Sequence, residues 1–439
     1  MSIQQGDVAG QGESSEMARP QVAPEPSGAV RSTPSPGEKP QRAANRLYVL
    51  DLLRFCAAIS VLGFHVLIDN DNRRAWGANV EDLFDHGFVT VFRYGWMGVE
   101  FFFVISGFVI CMSCWGRSVS DFFVSRVTRL VPAYVFAVLV TSAALALWPL
   151  ENGRPQPSHV LINATMLQRF VNIPNIDSVY WTLFVELKFY LLFAIVVHFG
   201  LTYRRVVLFC ILWMTAALYA EYSQFRPLIL VVESGFAPYF ISGIALYLIH
   251  RFGPNLLLWG ILGTSMIIGV ITLRNRVEAH NATRNAISFE IALPIMFLFF
   301  AIMVGVALGW FSGLKWRGLT VIGALTYPVY LLHMQLSRIV VSRLHDAVPP
   351  WALFAGVVGG VLLLAYVAHR CVERPMAKIL RRKLKASFAQ IRAEGSGAPM
   401  SVNSSALAGA GKGLEGGSAG EARGQSAGAA VSSRRRVSR

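Results

Sequence analysis

The sequence predicts an all-α, polytopic integral membrane protein with about ten transmembrane helices. Of its 439 residues, 54% are hydrophobic and only 15% are charged, a balance too apolar for a soluble domain of this length. Apolar stretches close to the roughly 20 residues that a helix needs to cross a bilayer recur along the chain. The basic residues lie in the segments between these stretches, so the net charge of +15 indicates membrane topology. A soluble nucleic-acid binder is therefore excluded.

Each of the first five predicted spans has a local signal. The first begins where the polar amino-terminal segment ends, the second opens with an aromatic GWM, and the third follows a segment that carries Arg126 and Arg129. The fourth opens with Tyr180 and Trp181, which are typical of the membrane interface, and the fifth follows two arginines. In chain order, these spans cover residues 47–68, 96–115, 130–149, 179–198 and 206–220.

The second five spans are bounded in the same way. Arg251 follows the sixth, and Lys315 with Arg317 precedes the ninth. Pro328 interrupts the ninth, where we expect a broken helix whose freed backbone groups face protein or water. In chain order, these spans cover residues 228–249, 256–273, 289–310, 319–336 and 351–367.

The sequence divides into three parts. Residues 1–44 are rich in Pro, Gly, Ser, Glu and Ala and lack the basic start and apolar core of a signal peptide, so a disordered amino-terminal tail is expected. Residues 45–375 form the predicted membrane domain. Residues 376–439 are predicted to be a basic, low-complexity cytoplasmic tail that lies near anionic lipid.

Charge in the short loops predicts the orientation. The basic loop residues that fall on one side, which we assign to the cytoplasm together with both termini, are Arg117, Arg126, Arg129, Arg204, Arg205, Arg251, Lys315 and Arg317. One predicted outer loop disagrees, because it carries Arg274, Arg276 and Arg284. Contact with an anionic acceptor is the explanation that the sequence offers.

Five cysteines, an odd number, lie mostly inside apolar stretches, so neither a disulfide framework nor a metal site is predicted. Charged groups inside the spans are the stronger functional signal, because each costs several kcal/mol unless it is paired or hydrated. The ionisable residues within the predicted spans are Asp51, Arg54, His65, Glu100, Glu186, Lys188, Glu233, Glu290 and His333.

Arg54 and His65 share one face of the first span. They are eleven positions apart, about three helical turns, which places them roughly 16 Å from each other along the helix. A neutral imidazole there suits a general base for a hydroxyl group, and the guanidinium suits the polar groups of an acyl donor. The spacing fits equally well a buried histidine satisfied by a carbonyl and an arginine paired only with Asp51.

Two further segments carry candidate residues. Arg126 and Arg129, three positions apart in DFFVSRVTRLVPAY, share a helix face that suits phosphate groups, although topology alone explains arginines at a span end. In WTLFVELKFY, an aromatic belt explains Trp181 but leaves Glu186 in need of a partner such as His65, Lys188 or a wet pocket.

Taken together, the motifs resemble the acyltransferase 3 family of membrane-bound bacterial O-acyltransferases. The matching segments, in family order over about 330 residues, are LDLLRFCAAISVLGFH, GWMGVEFFFVISGFVI, Asp121 followed by RVTRLVPAY, WTLFVELKFY, TYPVYLLH and VERP. Glu100 stands where the family often has aspartate, and Lys188 where glutamine is common.

The resemblance implies a ten-span core and a set of site residues. It implies His65 as catalytic base with Arg54 in support, Glu186 or Glu100 orienting the imidazole, and Arg126, Arg129 and Tyr134 at acyl-CoA. Further pocket candidates on the matching segments are Asp51, Trp181, Tyr327, His333, Glu373 and Arg374. No metal and no permanently bound cofactor is expected.

The function expected from the resemblance is transfer of an acyl group, by default acetyl, from acyl-CoA to a hydroxyl of a cell-surface or exported carbohydrate or glycolipid. The expected location is the bacterial inner membrane. A transporter or exporter of a glycan or small solute is the main alternative, since transporters also carry midplane charges and broken helices. A non-catalytic assembly partner would not need Arg54 and His65 on one helix face.

Overall fold

The computed structural model describes residues 47–69, 74–151, 153–282 and 286–395. Within these ranges, ten helices are long and apolar enough to cross a membrane, and the β structure is one isolated bridge between Leu150 and Gly153. The all-α, polytopic prediction is therefore confirmed. The predicted amino-terminal tail of residues 1–44 and the chain after residue 395 lie outside the described residues.

The ten spans are numbered here in chain order. Spans 1 to 5 are Tyr48–Leu67, Gly98–Cys114, Val119–Leu147, Trp181–His198 and Tyr203–Ser223. Span 6 consists of two helices, Arg226–Val232 and Ala237–Phe252. Spans 7 to 10 are Leu256–Ala282, Phe289–Ala307, Gly318–Leu344 and Pro350–Val367. Short helices at the loop ends are Val80–Leu83, His86–Arg93, Gly95–Met97, Pro157–Ala164, Gln168–Val171 and Ser178–Tyr180.

Span 3 begins eleven residues earlier than the sequence predicted. Ser118 caps it, because its hydroxyl accepts the Asp121 N–H at 3.2 Å and so satisfies one unpaired donor of the first turn. The helix therefore already includes Arg126 and Arg129, which lie within it rather than in a preceding loop.

Span 6 is broken where an unbroken helix was expected. Glu233 adopts a left-handed backbone conformation with φ of 49°, and the helix resumes at Ala237. Such irregular backbone inside a membrane domain is tolerated only where protein or a water-filled space satisfies the freed groups.

Span 9 shows the opposite deviation. The predicted break at Pro328 is wrong, since one helix continues from Gly318 to Leu344 with the proline inside it. A membrane helix tolerates such a proline because neighbouring groups satisfy the carbonyl that loses its partner.

Spans 7 and 10 extend beyond their predicted ends. Span 7 continues to Ala282, so Arg274 and Arg276 lie in the helix and not in an outer loop, whereas Arg284 lies outside the described residues. Span 10 passes through a π-helical turn, Ala368–Glu373, into a helix at Arg374–Gly395. The first part of the predicted basic tail is therefore helical.

The core that positions the site is formed by spans 1, 2, 3, 4, 6 and 9. Spans 2 and 6 pack most closely, and span 1 packs along span 9. Small residues permit the close approach, as expected where lipid provides no hydrophobic drive between helices. Large apolar side chains on spans 5, 7 and 8, including Leu212, Ile267 and Leu298, point outward as expected for lipid-facing surfaces.

Candidate active site

A cavity of about 80 Å³ lies among spans 1, 2, 3, 4 and 9. Its surface is mostly apolar or aromatic, but it collects four of the charged residues singled out in the sequence, Arg54, Arg126, Arg129 and Glu186. The other residues that line it are Val99, Phe102, Phe103, Ser106, Leu130, Thr182, Leu183, Tyr190, Thr326, Tyr327 and Tyr330.

The charges of this cavity do not cancel. Three guanidinium groups face one carboxylate, that of Glu186. Glu186 accepts hydrogen bonds from the Ser106 hydroxyl at 2.9 Å and the Tyr190 hydroxyl at 2.5 Å. Arg126 places its guanidinium 5.7 Å from the centre of the Tyr190 ring. The cavity is therefore suited to an anion that can accept from several N–H groups.

Hydroxyl groups on spans 4 and 9 also line the cavity. Thr182 and Tyr330 share a hydrogen bond of 2.8 Å between spans 4 and 9. Tyr327 donates to the Leu130 carbonyl at 3.2 Å and thereby fixes span 9 against span 3. Tyr327 thus lines the cavity.

His65 lies outside the described lining of the cavity, next to His333. Its Nδ1 is 2.9 Å from a carboxylate oxygen of Asp69, one turn further along the chain, and its ring centre is 5.2 Å from that of His333. Because a carboxylate accepts, Nδ1 carries the proton and Nε2 is the basic nitrogen. Arg54 and His65 both face span 9. Arg54 lines the cavity together with Thr326 and Tyr327, and His65 lies next to His333.

His333 lies between His65 and Tyr330. It is buried, its Nδ1–H donates to the Tyr330 carbonyl at 2.7 Å, and Nε2 has no hydrogen-bond partner among the described residues. Its ring centre lies 5.5 Å from that of Tyr330, which lines the cavity. His333, which the sequence singled out as a pocket candidate, therefore lies between His65 and a residue that lines the cavity.

The carboxylate that holds His65 is not one that the sequence prediction named. Glu186 faces the arginines of the cavity, and Glu100 forms a buried ion pair with Arg276 at 2.5 Å. The expected orientation of the imidazole by Glu186 or Glu100 stays a prediction that these contacts do not support. Asp69 has that position, and its spacing of four residues from His65 was the available signal.

Lys188 and Trp181 lie on the opposite side of span 4 from the cavity. Lys188 forms an ion pair with Glu233 in the break of span 6 and donates to the Leu230 carbonyl at 2.7 Å. Trp181 packs against Phe236, with ring centres 5.2 Å apart. Lys188 is thus not the partner of Glu186.

Tyr134 and Asp51 do not line the described part of the cavity. The Tyr134 hydroxyl accepts from the Gln168 side chain at 3.3 Å, and its ring packs on Tyr180. Its expected contact with acyl-CoA alongside Arg126 and Arg129 is not supported by this position. Asp51 packs closely on Gly323 of span 9.

Glu373 and Arg374 lie at the π-helical turn after span 10, which packs against spans 3 and 9. Glu373 is 2.9 Å from His369 Nδ1, and Arg374 is exposed. π-helical turns are rare and recur at functional sites, but neither side chain reaches the described lining of the cavity.

Comparisons with known proteins place this arrangement in context. The family described as "Acyltransferase domain" matches residues 47–370. The chain is 25% identical to Nodulation protein 10 of Rhizobium leguminosarum bv. viciae over 360 residues, which cover 75% of this chain and 93% of that protein. It is 28% identical to Exopolysaccharide production protein ExoZ of Rhizobium meliloti (strain 1021) over 334 residues, which cover 69% of this chain and 96% of that protein. No solved structure matches the chain.

Proposed function

The chain belongs to the acyltransferase 3 family, whose domain spans residues 47–370, and on that premise we propose that it moves acetyl from acetyl-CoA to a carbohydrate hydroxyl. Membership establishes a multispanning membrane acyltransferase and favours it over a transporter. The donor, the acyl group and the acceptor are the proposal. The observation that carries it is a cavity with three guanidinium groups whose lining residue Tyr330 is a ring neighbour of His333, itself the ring neighbour of His65.

The cavity supports acyl-CoA as the donor. Its three guanidinium groups suit the phosphates of the cofactor, because planar N–H pairs bind phosphate oxygens in bidentate fashion. Its apolar and aromatic surface suits the uncharged arm that carries the thioester. Arg126 and Arg129 enter from the end of span 3 that the basic loops assign to the cytoplasm, where acyl-CoA is available.

His65 has the geometry of a general base. Asp69 holds Nδ1–H, so Nε2 can take the proton of an acceptor hydroxyl and the oxygen can attack the thioester carbonyl. The new ester bond forms as the carbon–sulfur bond breaks, and protonated His65 returns its proton to the departing CoA thiolate. Asp69 stabilises the imidazolium in between. No covalent enzyme intermediate is needed.

A carbohydrate acceptor is supported by one of the related proteins. ExoZ is named for exopolysaccharide production, and the chain aligns over 96% of its length. The orientation predicted from the loop arginines puts both termini on the cytoplasmic side of a bacterial inner membrane. His65 then lies near the outer face, where exported glycans are found.

Replacing His65 with Ala tests the base assignment. We expect acetyl transfer to fall by about 10² to 10⁴, the usual contribution of a general base, while insertion and folding are unchanged. Transfer of labelled acetyl from acetyl-CoA to membrane glycans is the measurement, with size-exclusion chromatography as the folding check. The exposed His86 changed to Ala is the matched control. Retained turnover in the His65→Ala variant contradicts the assignment.

Replacing Arg126 and Arg129 with Gln tests the donor assignment. Loss of charge-assisted hydrogen bonds worth about 1.5 to 3 kcal/mol each predicts that acetyl-CoA binding weakens roughly 10-fold or more per residue. Titration calorimetry with acetyl-CoA measures this, and the exposed Arg117 changed to Gln is the control. An equal loss of acceptor affinity would count against a donor clamp.

A further inference from the structure

A second space lies on the other side of span 4 from the cavity. This groove of about 1060 Å³ runs between span 4, the broken part of span 6 and the loop before span 4. The residues that line it include Arg169, Phe170, Ser178, Trp181, Phe184, Lys188, Leu191, Leu230, Val231, Glu233, Phe236 and Arg276. None of these residues lines the cavity described above.

The helical repeat of span 4 separates the two spaces. Thr182, Glu186 and Tyr190, one turn apart, line the cavity, whereas Trp181 and Lys188 line the groove. One helix, about 10 Å across, is therefore all that lies between them over this stretch.

The outer end of the groove approaches the histidines. Ser178 lines the groove, and its hydroxyl lies 2.8 Å from the sulfur of Met334, the residue after His333. The groove therefore reaches span 9 at the residue next to His333.

The rim of the groove is apolar and exposed. Phe170, Leu191, Leu230 and Val231 are each more than half exposed. Leu191, Leu230 and Val231 lie on membrane-spanning helices, where such side chains face hydrocarbon. The groove is therefore open sideways to the lipid, which suits a ligand with a long hydrocarbon chain.

Basic groups outnumber acidic groups in the groove, where Lys188 is paired with Glu233 and Arg169 is exposed. Arg169, Lys188 and Arg276 face one carboxylate, Glu233, so basic groups exceed acidic groups by two. Counting Glu100, which pairs with Arg276, still leaves an excess of one. The Arg276 guanidinium also lies 5.2 Å from the Phe236 ring and 5.9 Å from the Trp181 ring, which holds a cation inside the groove.

We propose that this groove binds the acyl acceptor as a lipid-linked glycan, whose phosphate or diphosphate meets Arg169 and Arg276 while its hydrocarbon chain leaves between spans 4 and 6. The inference rests on the proposed function, because it assigns the acceptor of that reaction. A free sugar has no hydrocarbon chain to contact the apolar rim, and a neutral lipid has no negative charge to bind the basic groups. Only a ligand with both parts uses both features.

Lipid retention tests this without the acyl donor. The full chain is placed in nanodiscs of phosphatidylcholine and offered polyprenyl diphosphate, polyprenol, inorganic pyrophosphate or phosphatidylglycerol, with retention read by native mass spectrometry. We expect retention of polyprenyl diphosphate at least about tenfold above the alcohol and above phosphatidylglycerol, and little retention of pyrophosphate. Equal retention of the two polyprenyl lipids, equal retention of phosphatidylglycerol, or pyrophosphate binding as tight as that of the lipid overturns the proposal.

Variants locate the binding. Arg169→Gln should lower retention roughly fivefold, Arg169→Lys should restore most of it, and Leu230→Trp should block the rim. Matched controls are Arg154→Gln, an exposed arginine in the same loop region, and Leu208→Trp, a lipid-facing leucine on span 5; neither lines the described groove. Equal loss in control and groove variants overturns the assignment.

Failure of this inference is distinct from failure of the proposed function. If the wild-type chain transfers acetyl equally well to a water-soluble oligosaccharide and Leu230→Trp transfers normally, the groove is not the acceptor site although the enzyme is an acetyltransferase. If no acetyl leaves acetyl-CoA for any hydroxyl, the proposed function fails whatever lipid the groove retains.

Discussion

At the residue scale, Asp177 shows how one side chain fixes the outer end of the site. It is fully buried immediately before span 4, and its two oxygens accept the Val179 N–H at 3.2 Å and the Gln335 N–H at 3.1 Å. Spans 4 and 9 are thus joined next to His333. Burial raises the pKa of this carboxyl from 3.8 to about 6, with the two N–H bonds opposing the shift.

The raised pKa predicts a pH-dependent stability. Because the folded chain holds this proton more tightly than the unfolded chain, the stabilisation is full below about pH 4 and is lost as pH rises through about 6. The shift corresponds to about 3 kcal/mol. We expect the melting temperature in detergent to fall between pH 5 and 7.5, and to fall less in Asp177→Asn. The exposed Asp346 changed to Asn should keep the wild-type slope, and equal slopes in all three contradict the prediction.

At the element scale, the crossing of spans 2 and 6 determines where the site helices stand. A Cβ on Gly107 would lie 2.1 Å from the Phe240 carbonyl oxygen, and one on Gly243 would lie 2.0 Å from the Val104 carbonyl oxygen. Both obstacles are backbone atoms, so they cannot move aside without separating the helices. Phe103 on span 2 lines the donor cavity, and Phe236 next to span 6 lines the groove, so the crossing positions both spaces.

Adding one methyl group at this crossing should be costly. We expect Gly107→Ala to destabilise the folded protein by about 2 kcal/mol or more through forced helix separation. Gly260 on span 7 has open space around its Cβ position, so Gly260→Ala should be neutral or stabilising by up to about 1 kcal/mol. Thermal unfolding of the purified variants compares them. Similar melting temperatures for the two variants would show that the crossing has room to adjust.

At the scale of the whole molecule, the proposed reaction requires a fixed orientation across the membrane. The donor cavity must open toward acyl-CoA on one side, and His65 must face acceptors on the other. Basic residues supply the asymmetry, since Arg204 and Arg205 lie in the first turn of span 5, at the end assigned to the cytoplasm.

Cysteine labelling tests this orientation. In a background with Cys56 and Cys371 changed to Ser, Asp346→Cys should react with an impermeant maleimide in intact spheroplasts, because Asp346 is exposed in the loop after span 9. Arg204→Cys should react only after the membrane is permeabilised. The reverse pattern would invert the assigned topology and place His65 on the cytoplasmic side.

How much the sequence predicted differs between spans and contacts. The number of spans and most of their positions follow from apolar length, because backbone groups in lipid must be satisfied within each helix. The sequence did not decide whether Arg54, Arg126 and Arg129 line the same cavity, and the structure shows that they do. The break at Glu233 and the continuity at Pro328 were missed, because both depend on what the neighbouring helices supply.

The sequence by itself determined a ten-span membrane protein, its family, and a short set of ionisable residues that a bilayer does not tolerate without partners. Only the tertiary structure decided which partner each one has. Glu100 pairs with Arg276, and Lys188 pairs with Glu233. The physical reason is that the cost of a buried charge depends on its own residue type, whereas its compensation depends on contacts made between helices that are distant in the sequence.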